Sequence, residues 1–360
     1  MEKHLVGKRT FQGIPGIELT ANGRLLATWY GGGRGETHEN FVMLACSDDG
    51  GKTWTDTEWV IDPPESRVRA FDPTLFRTAD GRIYWFWAQV ECRDDYEPFD
   101  GRGGVWYSVC ENPEDPVADY RWSDPVRICD GIMMNKPTVL SNGEWALPVS
   151  VWGYPKKHYP EKIGAKIVIS EDQGKTFYER GKIILPDGLA HIDEHFFYEL
   201  KDAKTLVLQV RTCKGYYYAV SNDVGKSWSN LTPSSFVTSS TRAFARRLAS
   251  GRLLVIYNED PSIHRNFTVA LSDDDGRTWQ HKILIDPRHD TSYPDMVQAA
   301  DGAIYIIHDC ARYQGGYILI SRLTARFTPI RQKRILPRAL ILSTVKRRLP
   351  LLPREQLRTF

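Results

Sequence analysis

The chain writes one short pattern four times, Ser-x-Asp-x-Gly-x-Thr/Ser-Trp/Phe, and a chain that repeats a turn in this way has few folds open to it. The copies are Ser47-Asp49-Gly51-Thr53-Trp54, Ser170-Asp172-Gly174-Thr176-Phe177, Ser221-Asp223-Gly225-Ser227-Trp228 and Ser272-Asp274-Gly276-Thr278-Trp279. Each residue type has a physical task. Ser and Asp side chains hydrogen-bond turn backbone, Gly takes the positive φ of a tight turn, and the aromatic ring anchors the turn on a sheet. The first two copies are 123 residues apart and the later ones 51 apart. Repetition at a near-constant period implies a row of equivalent supersecondary units.

The text between the copies is strand-like. Arg24–Trp29, Arg82–Trp87, Thr205–Val210 and Arg252–Tyr257 are short runs rich in β-branched and aromatic residues, most of them following an Asn-Gly, Asp-Gly or Ser-Gly turn. Counting these turn–strand pairs gives six units, at about 11–58, 59–125, 126–180, 185–232, 236–283 and 286–326. The second holds a degenerate copy of the pattern between Ser108 and Trp122, and the sixth holds none. Antiparallel units of four strands set around an axis leave only short, protected edges. The expected fold is therefore all-β, a six-bladed β-propeller over residues 1–329. A basic C-terminal extension follows at 330–360, and no helical periodicity precedes it.

Formal net charge is +2, but 330–360 holds nine Lys/Arg against Glu355 alone, a local +8 that leaves the body at −6. That balance argues against nucleic acid as partner. The tail, with Lys346-Arg347-Arg348, is expected to be a solvated extension able to meet an acidic partner. Six cysteines without Cys-x-x-Cys spacing read as small buried hydrophobes. No apolar run approaches 18 residues and no leader-like segment follows Met1, so no membrane insertion is expected. As written the chain reads as cytoplasmic, or as secreted if a signal has been removed. Oligomeric state is not legible.

The four-fold pattern is the Asp-box of the BNR repeat, and the chain resembles the sialidase superfamily of β-propellers. The resemblance reaches individual residues. Asp193-Glu194-His195 followed by Arg211 is similar to the sialidase segment carrying the glutamate partner of the nucleophile and a substrate-binding arginine. Thr291-Ser292-Tyr293-Pro294-Asp295 is similar to the stretch bearing the catalytic tyrosine, and His264-Arg265 to the one bearing another arginine. The resemblance implies a retaining exo-glycosidase that hydrolyses a terminal acidic sugar such as α-linked sialic acid from a glycan. Its chemistry suits these residue types. Guanidinium groups bind a carboxylate by charge-assisted, often bidentate bonds. A phenol whose proton passes to a neighbouring carboxylate avoids setting an anionic nucleophile against an anionic substrate. Tyr293 and Glu194 are the expected pair, with Arg211 and Arg265 as clamps.

Two positions depart from that family. The opening Arg-Ile-Pro segment, source of a third clamp, reads Phe11-Gln12-Gly13-Ile14-Pro15, without the arginine. The loop expected to carry the acid/base aspartate, Gly31–Asn40, has none. Glu36 is the favoured replacement, on the argument that low-dielectric walls raise a carboxyl pKa. Glu39 and His38 are the other candidates in the loop, and Arg34 resembles an arginine that meets the sugar hydroxyls. Asp72, in Arg69-Ala70-Phe71-Asp72-Pro73, resembles an aspartate lining the sugar pocket. The acidic loop Glu91–Gly104 and Met133–Lys136 are expected at the substrate rim. No cofactor is expected, and the histidines lack metal-ligand spacing, so no catalytic metal is either. Two other readings stay open, since Asp-boxes are turn devices and do not vote on catalysis. One is an enzyme on another sugar, a uronate lyase included. The other is a non-catalytic propeller that binds glycan or protein.

Overall fold

The computed structural model describes residues 4, 8–55, 57–64, 67–92, 102–153, 159–314 and 316–324, with the backbone of two short strands at 338–339 and 345–348. The strands form six antiparallel sheets in chain order. From inner to outer strand, blade I is Gln12–Leu19, Leu25–Gly31, Phe41–Ser47 and Thr57–Ile61. Blade II is Val68–Arg77, Ile83–Glu91, Gly104–Cys110 and Val126–Asp130. Blade III has a divided inner strand, Ile132–Met133 and Thr138–Val139, before Trp145–Val151, Gly164–Ser170 and Tyr178–Ile183. Blade IV is His195–Glu199, Leu206–Thr212, Gly215–Ser221 and Thr232–Pro233. Blade V is Phe244–Arg247, Leu253–Asn258, Phe267–Ser272 and His281–Asp286. Blade VI is Thr291–Gln298, Ile304–Cys310, Tyr317–Leu323 and Arg338–Ala339. Among the described residues helical geometry is confined to short 3₁₀ turns, and no helix is long and apolar enough to cross a membrane.

The blade limits correct the expected units. Val126–Asp130, read as opening the third unit, is the outer strand of blade II and pairs with Gly104–Tyr107. The Asp-box joins the third strand of a blade to its fourth, so a unit that ends just after the box is cut short at its outer strand. Two strands come from the basic extension: Arg338–Ala339 pairs with blade VI, and Val345–Arg348 adds in parallel to Thr57–Val60 of blade I. The rest of that extension, and residues 93–101 of the expected rim loop, lie outside the described residues.

The Asp-boxes are built as the residue types require. In each, the Ser hydroxyl accepts from the Gly N–H, at 2.9 Å for Gly51 and 2.7 Å for Gly174. The Asp carboxylate accepts the N–H and hydroxyl of the Thr or Ser four residues on. These bonds hold the carboxyls of Asp172, Asp223 and Asp274 down at about 2, hydrogen bonding being the first cause. The turns also face neighbouring blades. A Cβ on Gly174 of blade III would stand 2.7 Å from the Tyr84 hydroxyl of blade II, and one on Gly225 of blade IV 2.8 Å from Ile167 of blade III. In blade II, Trp122 takes the anchoring place, edge-on to Trp59 of blade I.

The core follows the same plan. Its six hydrophobic clusters lie mainly between neighbouring blades, as where Ile17, Trp29 and Met43 of blade I meet Tyr305, Ile307 and Ile318 of blade VI. Ions tie the channel wall. Buried Lys136 of blade III reaches the Ile17 carbonyl of blade I at 2.6 Å and Asp295 of blade VI at 3.1 Å. Met133–Lys136 therefore belongs to the channel wall and not to a rim. An isolated buried ammonium is costly, and the divided strand of blade III delivers this one to several oxygens at once.

Candidate active site

Three inner strands share one irregularity. The ladders of blades I, II and VI slip between Gly13 and Gly16, Phe71 and Thr74, and Ser292 and Asp295. In each slip the residue before a proline has positive φ: Ile14 at 54°, Asp72 at 47° and Tyr293 at 56°. A residue before proline prefers extended backbone, and a side chain in the left-handed region costs roughly 1–2 kcal/mol. Packing holds that strain, and a bulge re-aims the side chain it carries. Two of the three are residues that the resemblance had selected.

Tyr293 and Glu194 meet. The phenol donates to Glu194 Oε1 at 3.2 Å, and Arg211 donates to Glu194 Oε2 at 2.7 Å. All three side chains are buried. Arg211 comes from the end of the second strand of blade IV, where its N–H bonds the Glu194 carbonyl and its Nε donates to Ser240 at 3.1 Å. Two further guanidinium groups lie over the tyrosine ring, Arg312 at 4.6 Å and Arg242 at 5.3 Å. Burial first, then the charge of Glu194, drives the Tyr293 phenol far above its usual range, while Arg312 and Arg211 pull the other way. The phenol is therefore protonated at rest.

The second part of the site is acidic. Asp72 is buried, its Oδ1 has no hydrogen-bond partner among the described residues, and its carboxyl is pushed up to about 8, by burial first and by Glu36 next. The charge of Arg69, whose guanidinium lies 4.0 Å over the Phe71 ring, opposes that rise. Glu36 stands on an exposed stretch of the loop after blade I's second strand, its carboxylate turned in to the Tyr30 and Tyr313 hydroxyls, the latter at 2.8 Å. The expected rise in its pKa is not found. Although desolvation, the largest single influence, pushes the carboxyl up, Arg69, the Tyr30 hydroxyl, Arg312 and the Tyr313 hydroxyl together bring it below the usual range.

Residues 23–306 match the model of the BNR repeat-like domain. The chain belongs to the BNR repeat-like domain family. Among curated proteins none matches the sequence closely enough to be called a relative. Among solved structures, this BNR propeller is similar to the Hadza microbial sialidase Hz136, with TM-score 0.70 and 15% identity over 88% of this chain and 66% of that one. A Dyadobacter fermentans protein of unknown function gives 0.70 and 18% over 89% and 96%. The Trypanosoma rangeli sialidase in complex with sialic acid gives 0.66 and 16% over 86% and 54%. The chain thus spans about two thirds or less of these sialidases' length, and at such identity the likeness is one of fold.

The remaining residues chosen from sequence divide. In the BNR propeller Arg265 pairs with Asp260 on an exposed loop, and among the described residues no hydrogen bond joins it to the Tyr293 group. Arg34, His38 and Glu39 are exposed on the Glu36 loop, and among the described residues none hydrogen-bonds the Tyr293 group. His195 is a strand residue between Ser150 and the Lys166 carbonyl, and burial lowers it to about 4. Three arginines beside Tyr293 and Asp72 were not singled out from sequence: Arg69, Arg242 and Arg312. The first two had a signal, for Arg69-Ala70-Phe71 and Arg242-Ala243-Phe244 are the same tripeptide at the leading ends of two inner strands, which begin at Val68 and Phe244. Arg242 spans blades, donating to the Met134 and Pro294 carbonyls.

Proposed function

We propose that this protein is a retaining exo-glycosidase of sialidase type that releases a terminal acidic sugar, with α-linked sialic acid the leading substrate. The observation that carries the reading is the Tyr293–Glu194 hydrogen bond, with Glu194 held by Arg211. A raised phenol pKa makes a free phenolate scarce, so the proton leaves as the new bond forms. In the first step Tyr293 Oη bonds to the anomeric carbon and passes its proton to Glu194. The glycosidic C–O bond breaks, and the leaving oxygen takes a proton from Glu36. In the second step Glu36 takes a proton from water, the hydroxide attacks the anomeric carbon, and Tyr293 recovers its proton from Glu194 as its bond to the sugar breaks. Asp72, neutral up to about pH 8, offers a hydroxyl group to the sugar at the pocket floor.

Glu36 begins ionised, which demands a source for its proton. A substrate carboxylate near Arg312 neutralises one of the cations that hold Glu36 down. Binding therefore raises its affinity for a proton, and the acid forms where substrate is present. The test is release of a fluorescent aglycone from an α-linked N-acetylneuraminic acid reporter, wild type beside Tyr293→Phe. Turnover in the wild type with a loss of about 10²-fold or more in the variant is expected. Equal turnover in both overturns the reading.

A further inference from the structure

Gly13 stands where the sequence lacks its opening arginine, and the space beside it is filled. A Cβ built there would lie 2.9 Å from Arg312 Cβ, 3.0 Å from Arg312 Cδ and 2.7 Å from Asp309 Oδ2. Gly13 is absent from the residues with positive φ. The backbone accepts a side chain, and the neighbour is what excludes one.

The neighbour is fixed by blade I itself. The Gln12 N–H donates to the Arg312 carbonyl at 3.2 Å, and Gln12 Nε2 donates to the Gly316 carbonyl at 2.8 Å, fastening the blade VI loop to the first strand. Asp309 accepts from Ile14 N–H at 2.8 Å and from the Ser292 hydroxyl at 2.8 Å, so its carboxylate is held from two blades. Arg312 donates to Ser292 Oγ at 2.7 Å and lies 3.6 Å from Asp309 Oδ2. Its side chain is 15% exposed against 6% for Arg211. Arg211 is engaged by a carboxylate at 2.7 Å, whereas Arg312 holds its acid at the longer distance. Its Nε is buried with no partner among the described residues.

We propose that Arg312, seated in the space that Gly13 leaves open, is the substrate-binding cation that receives the carboxylate of the sugar. It reaches the site from blade VI, and Gln12 and Gly13 together form its seat. The inference rests on the acidic-sugar reading above. A planar guanidinium over the Tyr293 ring, with Nε unpartnered among the described residues and its own acid at the longer distance of 3.6 Å, fits a carboxylate set beside the anomeric carbon.

The experiment compares two probes in a Tyr293→Phe background that prevents turnover: the methyl α-glycoside of N-acetylneuraminic acid and the methyl ester of that glycoside. Calorimetric affinities are taken for the background protein, for added Arg312→Gln, and for the exchange Gly13→Arg with Arg312→Gly. The background is expected to prefer the acid over the ester. Arg312→Gln should weaken the acid by about 10- to 100-fold, the range of a hydrogen bond to a charged group, and leave the ester within about two-fold. The exchange should restore at least part of the loss, which a merely structural arginine would not allow. Preference for the acid kept in Arg312→Gln overturns the role of Arg312 and leaves the substrate reading standing. No preference in the background overturns both. A melting curve for each variant shows whether an affinity change reflects lost folding, and a folded Arg312→Gln with unchanged acid affinity counts against the proposal.

Discussion

Replacing Glu194 by Gln separates what this residue does for the fold from what it does for the reaction. In the wild type its carboxylate faces Arg211 at 2.7 Å with both side chains buried, and it accepts from Tyr293 at 3.2 Å. Glutamine keeps the shape and one acceptor but removes the charge opposite a buried guanidinium. Breaking one side of a buried ion pair costs about 3–5 kcal/mol, and the retained acceptor puts this change near 3. With an unfolding entropy of roughly 2 cal/mol/K per residue, a chain of 360 residues loses about 4 °C of Tm for that amount. The exposed pair Arg180–Glu171, also at 2.7 Å but with Glu171 57% exposed, supplies the control, since Glu171→Gln should shift Tm by no more than about 1 °C. Because Glu194 takes the Tyr293 proton in the proposed reaction, kcat on the sialic acid reporter should fall by about 10²- to 10⁴-fold in Glu194→Gln and stay unchanged in Glu171→Gln. Calorimetric melting and reporter kinetics on the two variants decide it. A Glu194→Gln protein that melts with the wild type would refute the reasoning, because no buried Arg211 charge would then have been left unpaired.

Other consequences follow from the same geometry. Asp72 keeps its proton in the folded state up to about pH 8, while the unfolded chain loses it near the ordinary value of 3.8. Folding stability from this group therefore declines as pH rises between those values, and the Tm of Asp72→Asn relative to wild type should climb from pH 5 to pH 8. A difference that stays flat contradicts a buried neutral Asp72. Glu36 is held below the usual carboxylate range, so its acid form is favoured by acidity. The kcat/KM of the reporter should fall as pH rises from about 4 to 8, and Glu36→Gln should lose most activity throughout; a wild-type profile rising toward pH 8 would exclude Glu36 as the acid. Gly174→Ala meets both a φ of 90° and atoms 2.5–2.9 Å away, and should cost about 2–4 kcal/mol by chemical denaturation. Gly143→Ala, with φ 86° and nothing within 4 Å, should cost only about 1–2. Equal losses would show that the Asp-box glycine is not packed against Trp145 of its own blade and Tyr84 of the next.

Repetition made the fold legible. Four Asp-boxes and six turn–strand pairs required a ring of like units, and the blades agree apart from the outer strands, which the box turn carries past each counted unit. The hydrogen-bonded meeting of Tyr293 with Glu194 was legible as well, because Tyr293-Pro294 and Asp193-Glu194-His195 keep their order and neighbours in the text. The cations were harder to read. A guanidinium extends several ångströms from its backbone, and which arginine reaches the axis depends on strand ends that sequence does not locate. Arg265 was chosen by its place before an Asp-box, yet Asp260 five residues earlier holds it on the loop. Arg312 follows the second strand of blade VI and enters the site because Gly13, 299 positions away, leaves room. The sign of the Glu36 pKa shift was not legible, since Arg69, Tyr30, Arg312 and Tyr313 come from three blades.

The central claim is that the Tyr293 oxygen bonds to the sugar. The direct measurement is intact-protein and peptide mass spectrometry after exposure to a 3-fluoro-sialosyl fluoride, whose fluoride leaves readily and whose 3-fluoro group slows the second step. The account predicts one added glycosyl mass, located on the peptide residue Tyr293 and absent from Tyr293→Phe. An unmodified enzyme that nonetheless turns over the reporter, or a label on Glu194 or Glu36, would contradict it.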